Sequence, residues 1–275
     1  MKKIITKIIN MLKRDRRESM SLVDIVEEEK NLVCDAERKY GDFFIHALDF
    51  NAFLHNFIKS ISPDGFIFAM FLADIKKHHT LAVLSAARLH HVQCALNLRR
   101  VLEAGANAAY AIAKSDLDCF RKINEEGLLE TPQELADKRN KWLDENYPEG
   151  SFSIKGLKKS INQSCAHSNI TYTQQNFQME KKSFRNFFFD TEDGLHVKTN
   201  FWFAANVAMG LVDLFYGVNK NRNVITFSDD FLGQLRTLKT VNDSQRQTIM
   251  DNPRIKPNVE KLKNSEDGNI ERCVK

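Results

Sequence analysis

The chain has 275 residues, 43% apolar and 28% charged, which is enough for a sizeable core and excludes wholesale disorder. A net charge of +4 is smaller than a dedicated nucleic-acid binder usually carries. Five scattered cysteines without CxxC spacing encode neither a disulfide framework nor a zinc site and point to a reducing cytosol.

The first stretch, MKKIITKIINMLKRDRRE, carries seven Lys or Arg before position 18, against the single acid Asp15. Ile4, Ile5, Ile8, Met11 and Leu12 fall at helical spacing beside those cations, so residues 1–18 are expected to form a basic amphipathic helix. Such a helix can lie on an anionic membrane surface through residues 1–17, or pack on the body of the protein or a partner. The segment lacks a small-residue cleavage site, and no window holds 18 consecutive apolar residues, so neither secretion nor a bilayer span is expected. The expected location is cytoplasmic, with the inner membrane surface as a peripheral alternative.

Residues 19–60 read as one or two helices, capped by Ser19 or Ser21, with the aromatic run GDFFIHALDFNAFLHNFI facing the core. SPDG at 62–65 reads as a turn. Phe66 to Lys114 contains no proline and reads as two helices broken near Lys77–Thr80, the second running from about Leu81 to Lys114. Asp116–Glu126 reads as a short helix ended by Gly127. Thr131, Pro132 and Glu134 then start a helix that stops near Asn146, before Pro148. Residues 177–190 suit a small hairpin, 195–218 an apolar helix, and Ser228, Asp229 and Asp230 cap a helix reaching Asp251. The polar tail, 252–275, with two prolines, is expected to be flexible. The pattern predicts an all-α helical bundle in one domain, residues 19–251, with one small β-hairpin as an optional addition.

On the long helix, Gln93, Asn97, Arg100, Glu103, Asn107 and Tyr110 share one stripe, while Cys94, Leu98, Val101, Leu102, Gly105, Ala109 and Ile112 share another. The polar stripe is either half exposed, with Arg100 and Glu103 as a surface pair, or it lines a groove between helices. Ala104, Gly105, Ala108 and Ala109 permit a close helix approach, within the core or across a dimer. His167, in SINQSCAHSNITYT, is a candidate general acid or base with Ser164 and Ser168 as helpers. Its alternative is a structural histidine bonded to a carbonyl. Cys165 is two positions away and cannot pair with it on a helix. The pairs His78-His79 and His90-His91 come without HExxH or Glu-x-x-His, so no metal is predicted, and no cofactor fingerprint is present.

The helix AARLHHVQCALNLRRVLEAGANAAYAI, with Arg99 and Glu103, followed by SINQSCAHSNI, resembles the HEPN-like helical domains of bacterial toxin, abortive-infection and defence proteins over residues 66–175. Many members of that family are metal-independent ribonucleases with Arg four to six residues before His; others are non-catalytic scaffolds that dimerise. The family histidine maps onto His167. Positions 160–162 hold Ser160, Ile161 and Asn162 instead of the arginine, with Lys158 and Lys159 just outside the spacing. The resemblance therefore implies a defence or toxin-system protein that acts through association, as a homo-oligomer or with a partner protein. Its alternative is a ribonuclease with His167 as acid/base, Arg99 or Arg100 steadying phosphate, Glu103 orienting the arginine, and Arg99, Lys158 and Lys159 contacting RNA.

Overall fold

Helical spacing of apolar residues dominates the chain, and the architecture follows from it. The computed structural model describes residues 20–163, 176–179 and 184–264. Among them are nine α-helices: α1 (Leu22–Tyr40), α2 (Asp42–Asn56), α3 (Phe66–Ala87), α4 (His91–Ala113), α5 (Leu135–Asn146), α6 (Pro148–Ile161), α7 (Gly194–Asn219), α8 (Phe231–Met250) and α9 (Lys256–Asn264). Three antiparallel two-stranded ribbons accompany them. β1 (Ile58–Ile61) pairs with β6 (Ile225–Phe227), β2 (Lys122–Ile123) with β3 (Leu129–Glu130), and β4 (Phe177–Met179) with β5 (Phe184–Asn186). The all-α expectation holds, and the hairpin near 177–190 is present. The expected basic helix of residues 1–18, and its membrane-facing stretch 1–17, lie outside the described residues.

Ser21 caps α1 through a reciprocal box in which its hydroxyl accepts from the Asp24 amide and the Asp24 carboxylate accepts from the Ser21 amide. Helices α2, α3, α4 and α7 pack on one another around a single core that extends from Leu32 to Ile249. Helix α7 is central: Val197, Phe201, Ala204, Ala208, Leu211 and Phe215 are all buried, and the Phe201 ring meets Phe44 and Tyr40 at 5.2 and 5.6 Å. By length and composition α7 is apolar enough to cross a bilayer, yet its apolar side is covered by its neighbours in the bundle. A second aromatic group, Phe57, Phe227 and Phe231, joins the β1–β6 ribbon to the start of α8.

The small residues of α4 serve the core. A Cβ added at Gly105 would fall on the Leu211 side chain of α7, whose Cγ lies 3.0 Å from that position. Gly105→Val is therefore expected to destabilise the fold by roughly 1–3 kcal/mol, read as a lowered denaturant midpoint at unchanged m. An unchanged midpoint would mean that Leu211 moves aside freely.

Several boundaries differ from expectation. Lys77–Thr80 does not break a helix; α3 continues through it to Ala87, because His79 is buried and Thr80 bonds Asn51. The break falls at Arg88–His90, where Leu89 takes φ +58° and Asp190 holds the turn: its amide donates to the Leu89 carbonyl, and its carboxylate accepts from the His91 amide at 2.7 Å. Residues 116–126 form a short 3-10 turn and strand β2, which pairs with β3 just beyond them, instead of a helix. Asn124 Oδ1 accepts from the amides of Glu126 and Leu128, and Gly127 supplies φ +79°. Helix α5 begins at Leu135, later than the Thr131-Pro132 signal, and Pro148 opens α6 at its first turn. The Ser228 carbonyl, rather than its hydroxyl, accepts from the amide of Phe231 at the start of α8. The tail is ordered through α9: Ile255 packs on the core and Arg254 forms a two-pronged pair with Asp193 at 2.8 and 2.9 Å. Residues 265–275 lie outside the described residues.

Candidate functional site

Helices α5 and α6 meet at Tyr147 and close over the C-terminal half of α4. Between the three helices lies a cleft of about 430 Å³. Ala106 of α4 and Ile154 of α6 form its apolar floor, Arg139 and Asn140 of α5 one wall. Lys155, Lys158 and Lys159 of α6 form the other wall, and Asn162 and Gln163 close the end. The lysines share a face because positions three and four apart on a helix are neighbours.

Arg139 is 7% exposed. Its Nη1 donates to Asn107 Oδ1 at 2.8 Å, and its Nε and Nη2 donate to Asn140 Oδ1 at 3.2 and 3.0 Å. Those partners are neutral. Burial draws the guanidinium pKa down, and the charge of Glu103 offsets part of that shift; an arginine stays protonated in any case. Lys158 donates to Glu103 at 3.1 Å, and Arg99 approaches the same oxygen at 3.4 Å. Burial pushes the Glu103 carboxyl up, but Lys158 and Arg99 bring it below the ordinary value. Lys155 sits 2.6 Å from both oxygens of Asp144, and that carboxyl is lowered by Lys155 and by the Ser151 hydroxyl. Among the described residues the cleft is therefore lined by four cations and no acid, and two of the cations pair with carboxylates outside it. Among the described residues, Arg139 and Lys159 have no carboxylate partner. Buried charge without a counter-ion is unfavourable, so this arrangement is primed for an anion.

The predicted polar stripe of α4 changes character along its length: Gln93 and Arg100 are exposed, Glu103 and Asn107 half-buried and Tyr110 buried. Arg100 is not paired with Glu103. It donates to Asp74 of α3 at 2.9 Å, in a cluster where His78 contacts Asp74 at 3.4 Å and Asn97 at 2.8 Å. Glu103 instead joins Arg99 and Lys158, so three of the predicted residues come together beside the cleft, with Lys159 on its wall, while Arg100 stands in a separate cluster. His167, with Ser164, Cys165 and Ser168, lies outside the described residues. Sequence reasoning missed Arg139, Lys155 and Asn162. The one usable signal was Lys155-x-x-Lys158-Lys159, three cations on one helical face.

The paired histidines are built into the fold. His79 is fully buried, with Nδ1 3.0 Å from the Asn51 amide and Nε2 3.2 Å from the Ala204 carbonyl, and burial holds its pKa at about 4. His91 stacks on His196 at 4.2 Å, and burial with that neighbour holds it at about 4 as well. His90 bonds Glu29 and stacks on Phe189. Among the described residues, no three His, Cys, Asp or Glu side chains gather to hold a metal ion. Compared with protein-family models, with curated proteins and with solved structures, the chain matches none of them.

Proposed function

We propose that the protein binds RNA through the cleft between α4, α5 and α6, with Arg139 as the deep phosphate contact and Lys155, Lys158 and Lys159 around it. The observation that supports this reading is the pair of cations with no bonded carboxylate among the described residues, Arg139 buried and Lys159 exposed, in a cleft whose described lining holds no acid. Arginine forks match phosphate oxygens, and each lysine that meets a phosphate releases counter-ions. The test is fluorescence anisotropy with a labelled single-stranded RNA across a salt series. Lys159→Ala is expected to weaken binding and to flatten the slope of log affinity against log salt by roughly 0.7, one phosphate contact. No binding at low salt, or a slope unchanged by the substitution, would remove the proposal.

The proposal includes the resemblance to HEPN-like defence domains and a ribonuclease reading that follows from it. What favours that reading is position in the chain: Gln163 lines the cleft, and His167 is four residues further on. The same RNA incubated without metal, beside a His167→Ala variant, separates the two cases. Cleavage lost in the variant makes His167 catalytic, and intact RNA in both leaves binding alone. Association with a second copy or a partner protein has its own support in the exposed apolar start of α1, where Met20, Leu22, Val23 and Val26 are 43–81% exposed. A light-scattering mass of one chain would remove the self-association form.

A further inference from the structure

Resting on the RNA reading above, we infer that the cleft seats a single nucleotide through a terminal phosphate, and does not track the interior of a strand. Depth is the first reason. Arg139 lines the cleft, is 7% exposed as a residue, and has its guanidinium held by Asn107 and Asn140. An interior phosphodiester carries a sugar on both sides and would have to fold the strand into the cleft to reach that depth. A terminal phosphate is free on one side and enters end-on.

Charge is the second reason. With Lys155 paired to Asp144 and Lys158 sharing Glu103 with Arg99, the described lining keeps a surplus of at least two positive charges, and Arg139 and Lys159 have no carboxylate bonded to them. A phosphate monoester carries about −1.5 to −2 near neutral pH, whereas a diester carries one charge. The monoester is the better match.

The third reason is an acceptor that inorganic phosphate does not need. Asn162 lines the cleft, and its Oδ1 is buried with no hydrogen-bond partner among the described residues. An unmet buried acceptor is costly, and a sugar hydroxyl or a base amine would satisfy it. A volume of about 430 Å³ lies toward the small end of the roughly 300–1,000 Å³ typical of small-molecule sites, which suits one such unit.

The experiment uses the full chain in chelator-treated buffer. One short RNA is prepared with a 5′-phosphate, with a 3′-phosphate and with hydroxyls at both ends, and is titrated beside inorganic phosphate and a nucleoside monophosphate. A phosphorylated end is expected to bind about tenfold or more tightly than the hydroxyl-ended strand. The nucleoside monophosphate should compete with it. Asn162→Ala should weaken the nucleotide while leaving inorganic phosphate unchanged, and circular dichroism confirms that the variant is folded. Equal binding of the three RNA forms overturns the inference and leaves the RNA reading standing. Binding of the mononucleotide with refusal of every RNA keeps the inference and overturns the RNA reading. Inorganic phosphate bound as tightly as the nucleotide overturns the inference, and no binding of any probe overturns both.

Discussion

Arg139→Met is expected to cost at least about tenfold in affinity for a phosphate-bearing ligand while changing the unfolding free energy by no more than about 1 kcal/mol. The two effects separate because the arginine is placed unfavourably for stability. Its charge is largely withdrawn from water, and among the described residues its hydrogen bonds go to the amide oxygens of Asn107 and Asn140, with the charge of Glu103 as a partial offset. Methionine fills a similar volume without the desolvation penalty, and both asparagines are half-exposed, so they can turn to solvent when the guanidinium is gone. A buried charge retained for structure behaves oppositely: removing one partner of a genuine buried pair costs about 3–5 kcal/mol. Denaturant unfolding and calorimetric titration on the same preparation decide the matter. Loss of stability together with binding would make Arg139 a structural fastening between α4 and α5.

Acidification is expected to destabilise the protein by several kcal/mol between pH 6.5 and pH 4, through His79 and His91. Both titrate at about 4 in the folded state, against 6.5 when exposed. The unfolded chain therefore takes up protons first as the pH falls. Their contribution is complete above pH 6.5, drains as the pH approaches 4, and is exhausted below it. Each full shift corresponds to on the order of 3 kcal/mol. Asp193, held at about 2 by Arg254, belongs to a separate and lower window, below its ordinary value of 3.8. Urea unfolding at about pH 7 and pH 4.5 measures the loss, and His79→Gln should remove part of it, the rest staying with His91 and with His46, His55 and His196, which burial also holds below the ordinary value. A flat profile over that range would mean that both imidazoles accept protons in place.

Much of the fold was legible because it is written locally. The apolar helix at 195–218, the turn at 62–65 and the hairpin near 177–190 each carry their own periodicity or turn residues, and all three are present. The end of α3 was not legible. Lys77-His78-His79-Thr80 has the composition of a break, but its polar groups are answered by Asn51 and by the Ala204 carbonyl, far away in sequence. The true turn at Leu89 depends on Asp190, about a hundred residues later, and a leucine at positive φ gives no local warning. The cleft failed to show for a similar reason. ADKRNKW reads as an ordinary solvated helix, and the burial of its Arg139 depends on α5 packing against α4, where Asn107 accepts from the guanidinium, and against α6. In the tail, the two prolines gave no sign of α9, because Pro257 lies in its first turn, where proline is tolerated.

The central position of α7 has a consequence for how the chain is made. Helices α2, α3 and α4 are complete by Ala113, but the helix that covers their apolar faces ends at Asn219, roughly a hundred residues later. At about 5–20 residues per second of synthesis, those faces wait on the order of 5–20 s on the ribosome without their partner. The β1–β6 ribbon cannot close until later still, since one strand ends at Ile61 and the other begins at Ile225. The nascent N-terminal half therefore exposes apolar surface until α7 emerges, and a chain truncated before α7 is expected to aggregate instead of folding as a smaller bundle.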